Sequence, residues 1–284
     1  MSALLTRRGL RRAAAAAALS LGIGLALPIA TAGSASAASS ATAGNNPYNT
    51  QFTYTAAAGQ ANNAVVTESV DSGSTSLTFV VDDVVPITAG AGCTYPDSAD
   101  TTKVSCTVDT VPDAQDPYDI ADFNLGDGND KVTFKDTSDE RYFYPAIHLG
   151  AGNDTYNGSG DNGANVYGDA GNDTIAGSAA TLSGGDGNDT ITATGGDYTW
   201  VSGGAGNDVI TAGPGFQYLY GDAGNDTIYG AQGNDWIYGG TGNDVLYGNS
   251  GNDTVYGNSG NDKLYGGPGT DTLSGGPGTN VVSG

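Results

Sequence analysis

Gly221-Asp222-Ala223-Gly224-Asn225-Asp226-Thr227-Ile228-Tyr229 decides how this chain folds. Its pattern recurs in Gly230 to Tyr238, Gly239 to Tyr247, Gly248 to Tyr256 and Gly257 to Tyr265, and Gly266 to Ser274 and Gly275 to Ser283 close the series. Glycine fills slots 1 and 4, an acid usually fills slot 6, and a large aliphatic residue fills slot 8. Glycines at slots 1, 2 and 4 permit positive φ, so six residues can make a tight turn. Slots 7 to 9 read as a short strand whose alternating side chains put slot 8 inside and slots 7 and 9 outside. Two units then close one coil of 18 residues, and stacked coils pair as parallel strands about 4.8 Å apart. The expected fold is all-β: a parallel β-roll, that is, a right-handed β-solenoid.

Looser copies lie upstream. Leu125-Gly126-Asp127-Gly128-Asn129-Asp130 precedes Val132, Leu149-Gly150-Ala151-Gly152-Asn153-Asp154 precedes Tyr156, and further units start at Gly168, Gly184 and Gly203. Between them stand units that keep the aliphatic slot (Leu182, Val201, Leu219) but lose the acid, with Gln217 where Asp is expected. The inner column is Val132, Ile175, Ile191, Ile210, Ile228, Ile237, Leu246, Val255, Leu264, Leu273 and Val282. So thin a core cannot stabilise a solenoid by itself, and the turns must contribute.

The chemistry of the turns suggests how. Ca²⁺ takes six to eight hard oxygens, and a Gly-rich turn exposes backbone carbonyls beside the slot-6 carboxylate. Asp208, Asp226, Asp244 and Asp262 supply carboxylates for one side of the coil and Asp235, Asp253 and Asp271 for the other, and Asp130, Asp154, Asp173 and Asp189 are the candidate ligands of the earlier turns. Gly204, Gly206, Gly224, Gly233, Gly240, Gly242, Gly251, Gly260 and Gly269 are the turn residues whose carbonyls are expected to join them. Acid-bearing turns occur on both sides near the C-terminus but mainly on one side between Leu149 and Thr211, so ions are expected in two rows late in the chain and nearly one row earlier. Mg²⁺ holds its waters too tightly for such a cage. Zinc is poorly served by a single histidine, His148, and two cysteines.

These units closely resemble the repeat-in-toxin (hemolysin-type) calcium-binding nonapeptides, over roughly the last 160 residues. The resemblance implies a calcium-filled parallel β-roll with slot-6 Asp and turn carbonyls as ligands. Many members of that family export through an uncleaved C-terminal signal and carry a protease, lipase or toxin domain. This sequence shows an N-terminal signal and no such domain, so toxic or proteolytic activity is not carried over.

The rest of the chain reads as a leader and a β-rich segment. Residues 1–37 have a basic start (Arg7, Arg8, Arg11, Arg12), an Ala-rich apolar run and the small-residue site Ala35-Ser36-Ala37, the pattern of a cleavable signal peptide using the Sec or twin-arginine route. The expectation is a secreted, extracellular protein with no membrane span once cleaved. Removing the leader leaves 31 acidic against 5 basic residues, a charge of −26. That sign excludes nucleic acid as a partner and favours a multivalent cation; about nine Ca²⁺ would neutralise most of it. Residues 38–124 should form a small β cap with strands at Gln51–Thr55, Ala64–Thr67, Leu77–Val81 and Lys103–Val108. A disulfide between Cys93 and Cys106 is expected to pin it, and residues 125–284 form the roll.

No enzyme is expected. A single histidine rules out H-E-x-x-H and leaves a Ser-His-Asp arrangement unsupported, and the cluster Asp136, Asp139, Glu140, Arg141, Tyr142 and Tyr144, whose carboxylates could do acid–base chemistry, reads as a solvated insertion. Tyr220, Tyr229, Tyr238, Tyr247, Tyr256 and Tyr265 all occupy slot 9 and should form outward ladders beside Trp236. The function expected is a non-enzymatic calcium-binding protein with a structural or interaction role in the cell envelope or matrix. The alternatives are a polysaccharide-active epimerase or lyase, or a carbohydrate-binding adhesin, with extracellular polysaccharide as the partner.

Overall fold

The computed structural model describes residues 39–110, 118–138, 143–160 and 163–284. The expected leader (1–37) and Asp139, Glu140, Arg141 and Tyr142 of the insertion lie outside the described residues. Among the described residues there are 25 strands and no helix, and Ser39–Gly284 forms one compact unit. The strands build two open sheets of 12 and 13, dominated by parallel pairing, as the nonapeptide pattern predicts.

Chain order explains the sheets. From Phe143 onward successive strands alternate between the two sheets, so each strand pairs with the strand one coil away. The slot-8 residues stay in register. Leu182, Val201, Leu219, Ile237, Val255 and Leu273 stack in the 12-stranded sheet. Val132, Tyr156, Ile175, Ile191, Ile210, Ile228, Leu246, Leu264 and Val282 stack in the other. Nearly all are fully buried, as alternation along a two-sided strand demands. Val282, expected in the core, is 49% exposed, and Leu273 is only partly buried. Their strands, Thr272–Ser274 and Val281–Ser283, each pair on one side only.

The coil pattern starts earlier than the glycine motif. Strands β1 (Ala41–Asn45), β2 (Phe52–Thr55), β3 (Asn63–Val70), β4 (Ser76–Asp82), β5 (Ile87–Ala89), β6 (Cys93–Thr94) and β7 (Lys103–Asp109) precede β8 (Tyr118–Asn124) and β9 (Lys131–Asp136). β2 pairs in parallel with β8, and β3 with β9, so β2 and β3 already make a coil of the stack. The sheets then end in β1 and β5 on one side and in antiparallel β4, β7 and β6 on the other. Here the interior is aromatic: Phe52 stacks on Phe79 at 5.4 Å, and Phe123 meets Phe52 and Phe134 edge-on at 5.4 and 6.0 Å. Cys93 and Cys106 face each other across β6 and β7 and are disulfide-bonded.

Candidate calcium-binding turns

Each turn is built from three constraints. Slot 2 is left-handed, at φ 71° in Asp222 and 65° in Asn249 and Asn258. Slot 4 sits near φ 140°, as in Gly224 (141°) and Gly242 (136°), a region that side chains avoid. The slot-4 glycines stack so closely that a methyl on Gly224 would collide with the carbonyl oxygen of Gly206, one coil back, and one on Gly242 with that of Gly224. Slot 1 departs from the sequence expectation. Its glycines do not adopt a left-handed φ. They are required by proximity instead, because a methyl on Gly221 would meet both Asp226 Oδ2 and the carbonyl of Gly239 in the next coil. Slot 1 is therefore a cradle where a carboxylate and a carbonyl oxygen converge. In the two earliest acid-bearing turns it is filled by the buried Leu125 and Leu149.

The slot-6 aspartates form two columns. In the long one, the backbone N–H of each donates to Oδ1 of its counterpart in the next coil. The series runs through Asp130, Asp154, Asp173, Asp189, Asp208, Asp226, Asp244 and Asp262 at 2.7–3.0 Å. Asn62 N–H donates into its start and Asn280 Oδ1 accepts at its end. The short column holds Asp235, Asp253 and Asp271, joined the same way and entered from Gln217. The two columns thus run together only in the last coils, with a single column before them.

A second ladder was not anticipated. Slot-5 asparagines bond in the opposite sense: Asn225 N–H donates back to Asn207 Oδ1 at 2.9 Å, and Asn243 N–H to Asn225 Oδ1 at 2.9 Å. The series reaches back to Asn129 and has a counterpart between Asn252 and Asn234 on the other side. The recurrence of Asn at slot 5 was the available signal.

The electrostatics leave these turns incomplete as pure protein. Asp130, Asp154, Asp173, Asp189, Asp208, Asp226, Asp235, Asp244, Asp253 and Asp262 are at most 2% exposed, and the Oδ2 of each is buried without a hydrogen-bond partner. A bare carboxylate oxygen out of water is costly. Burial accordingly pushes the carboxyls of Asp130, Asp208 and Asp244 up to about 6 and those of Asp173, Asp226 and Asp235 up to about 7. Asp154, Asp189 and Asp253 are also raised by burial. The N–H bond to Oδ1 opposes the rise, and most of these groups are raised further by a neighbouring carboxylate. Among the described residues no three His, Cys, Asp or Glu side chains converge as a metal centre. An ion here must take most of its oxygens from turn carbonyls, which suits Ca²⁺, and the stranded Oδ2 atoms and stacked glycine carbonyls fit that requirement.

The outer faces carry the tyrosine ladders. Tyr220, Tyr238 and Tyr256 stack at 5.0 and 5.2 Å on one sheet, and Tyr229, Tyr247 and Tyr265 at 5.0 Å on the other. His148 stacks on Tyr167 and bonds Asp169 through Nδ1 at 3.2 Å. Asp136, which the structure places at the end of β9, accepts the N–H and hydroxyl of Ser138. No helix among the described residues is long and apolar enough to cross a membrane.

No curated protein and no solved structure matches the chain. The family model for the RTX calcium-binding nonapeptide repeat (4 copies) matches residues 165–180, 178–197, 200–215, 211–246 and 247–282. The matches take in the acid-bearing turns from Gly168 onward, and those at Leu125–Asp130 and Leu149–Asp154 lie outside them. Residues 165–282 of this chain belong to the RTX calcium-binding nonapeptide repeat family.

Proposed function

We propose that this chain is exported and acts, without catalysing a reaction, as a calcium-folded structural or interaction protein of the cell envelope or extracellular matrix. The observation that carries the reading is the set of ten buried carboxylate oxygens with no hydrogen-bond partner, stacked coil upon coil. Slot-6 aspartates and the slot-2 and slot-4 glycine carbonyls would hold the ions, about nine if each ion is shared between adjacent turns. Bound calcium would supply the positive charge these oxygens lack, so its binding free energy becomes folding free energy. Like charges about 4 Å apart repel by about 4 kcal/mol at an effective dielectric of 20, and a thin core offsets few such pairs. Export supports the same reading, since the basic, apolar and small-residue segments of residues 1–37 have the order of a cleaved leader. Circular dichroism across a calcium titration tests it. The expected result is a repeat region disordered in excess chelator at neutral pH, β-rich in millimolar Ca²⁺ and not rescued by Mg²⁺. Full β-structure in chelator would overturn it.

One observation favours a second reading, glycan binding on the 12-stranded sheet. Trp200 and Trp236 are 46% and 44% exposed; Trp200 stacks on Tyr220 at 4.6 Å, whereas Trp236 meets Tyr218 only edge-on, which leaves its ring face available to a sugar. Loss of neutral-glycan binding in Trp236→Ala, with the calcium response unchanged, would support it.

A further inference from the structure

Asp235 is the first acid of the short column, and the residue that precedes it one coil back is Gln217, fully buried. Its carboxamide is completely engaged. Oε1 accepts Gly213 N–H at 3.0 Å, and Nε2 donates to the carbonyls of Pro214 at 3.1 Å and Gly196 at 3.3 Å. Pro214 lies in the turn that ends at Gln217. Gly196 lies in the turn one coil earlier, which ends at Thr199, the register partner of Gln217. Nε2 therefore joins a carbonyl of one turn to a carbonyl of the next, the task assigned to calcium in the acid-bearing turns.

We infer that the Gln217 amide group stands in place of a calcium ion between the turns at Gly195–Thr199 and Gly213–Gln217, and so fixes where the second row of ions begins. This rests on the calcium reading of the aspartate columns. Inward-facing carbonyls need either a cation or hydrogen-bond donors. A primary amide offers two N–H donors on one nitrogen without adding net charge. With both protons aimed at carbonyls and Oε1 turned to Gly213 N–H, the Gln217 carboxamide presents donors rather than a carboxylate to the carbonyls between these turns. Slot 1 points the same way. It holds Ala212, register-matched to Gly230 across the Pro214–Gln232 bridge, whereas every acid-bearing turn from Gly168 onward has glycine there. The downstream end of the long column has a related arrangement. Asn280 replaces the acid, accepts Asp262 N–H through Oδ1 at 2.7 Å and donates through Nδ2 to the Gly276 carbonyl at 3.0 Å.

The test is an ion count on calcium-saturated purified protein by native mass spectrometry, with folding checked by circular dichroism. The variant Ala212→Gly/Gln217→Asp should bind one more Ca²⁺ per chain than the parent. A folded variant with the same or a smaller count overturns the inference, while a parent that binds no calcium overturns the calcium reading beneath it. Should the variant not fold, the parent decides. The side-chain amide protons of Gln217, followed by NMR hydrogen exchange, should be protected in the calcium-saturated, folded protein. Their release to fast exchange on saturation would mean that an ion displaces the amide, and would overturn the inference.

Discussion

Within the acid-bearing turns from Gly168 onward, the two recurrent glycine slots answer to different physics and should respond differently to substitution. Gly221→Ala puts a methyl into the cradle shared by Asp226 Oδ2 and the Gly239 carbonyl; a small overpacking of this kind costs about 1–3 kcal/mol. Gly224→Ala collides with backbone at an unfavourable φ of 141°, so its cost adds strain to overpacking. Thermal unfolding in saturating calcium should rank Gly224→Ala below Gly221→Ala, and both below the parent. The raised aspartates make a separate prediction about pH in calcium-free protein. Their folded values of about 6 to 7 exceed the unfolded value of about 3.9. The folded state therefore binds more protons between these limits, and the associated stability is complete below about pH 4 and lost as pH rises through about 6 to 7. Protein stripped of calcium should gain β-structure between pH 7.5 and pH 4.5, as read by circular dichroism. Calcium affinity should run the opposite way, because protons compete for the same oxygens. The positions of the carboxylates were legible from the sequence, since a nine-residue period fixes them. The role of slot 1 was not, because an open backbone region and a crowded site both call for glycine, and only coordinates separate the two.

At the level of strands, the slot-8 columns were legible because alternation leaves the aliphatic residue one direction to face. Four N-terminal strands were legible from their β-branched and aromatic content. Ala41–Asn45 was not, since its Ala-Thr-Ala-Gly-Asn composition has little strand character; nor were the short Ile87–Ala89 and Cys93–Thr94, which owe their form to partners. Nor could a local pattern reveal that β2 and β3 join the solenoid, because they pair with strands more than 60 residues later. The disulfide belongs to this scale. It closes a separation of 13 residues, for which a loss of about 3 kcal/mol on removal is typical. In the Cys93→Ser/Cys106→Ser variant, hydrogen exchange should accelerate in β4, β6 and β7, with the distant strands from Thr227 to Tyr265 unaffected. Protection lost evenly across the chain would contradict this. The tyrosine stacks are expected to add about 0.5–1.5 kcal/mol per pair, so Tyr238→Ala, which breaks two stacks, should lower the melting temperature more than Tyr256→Ala, which breaks one.

Across the whole molecule, each coil touches chiefly its two neighbours, so stability is close to a sum of coil and interface contributions. The two ends of the stack are unlike. One is finished by antiparallel strands and an aromatic interior; the other leaves Val281 and Val282 53% and 49% exposed. Deleting residues 275–284 should therefore cost little stability in calcium, whereas deleting residues 39–57 should destabilise the entire fold, as measured by denaturant unfolding. The hydrogen bonds between coils run along the stack, so a force applied at its two ends would open them one rung after another rather than shear them together. The intervals between bonded aspartates are 24, 19, 16 and 19 residues before settling at 18. At about 3.5 Å per extended residue, each regular coil would release about 63 Å of slack when it lets go. Stretched, this protein would act as a graduated spring: even steps where its sequence repeats faithfully, uneven ones where it does not.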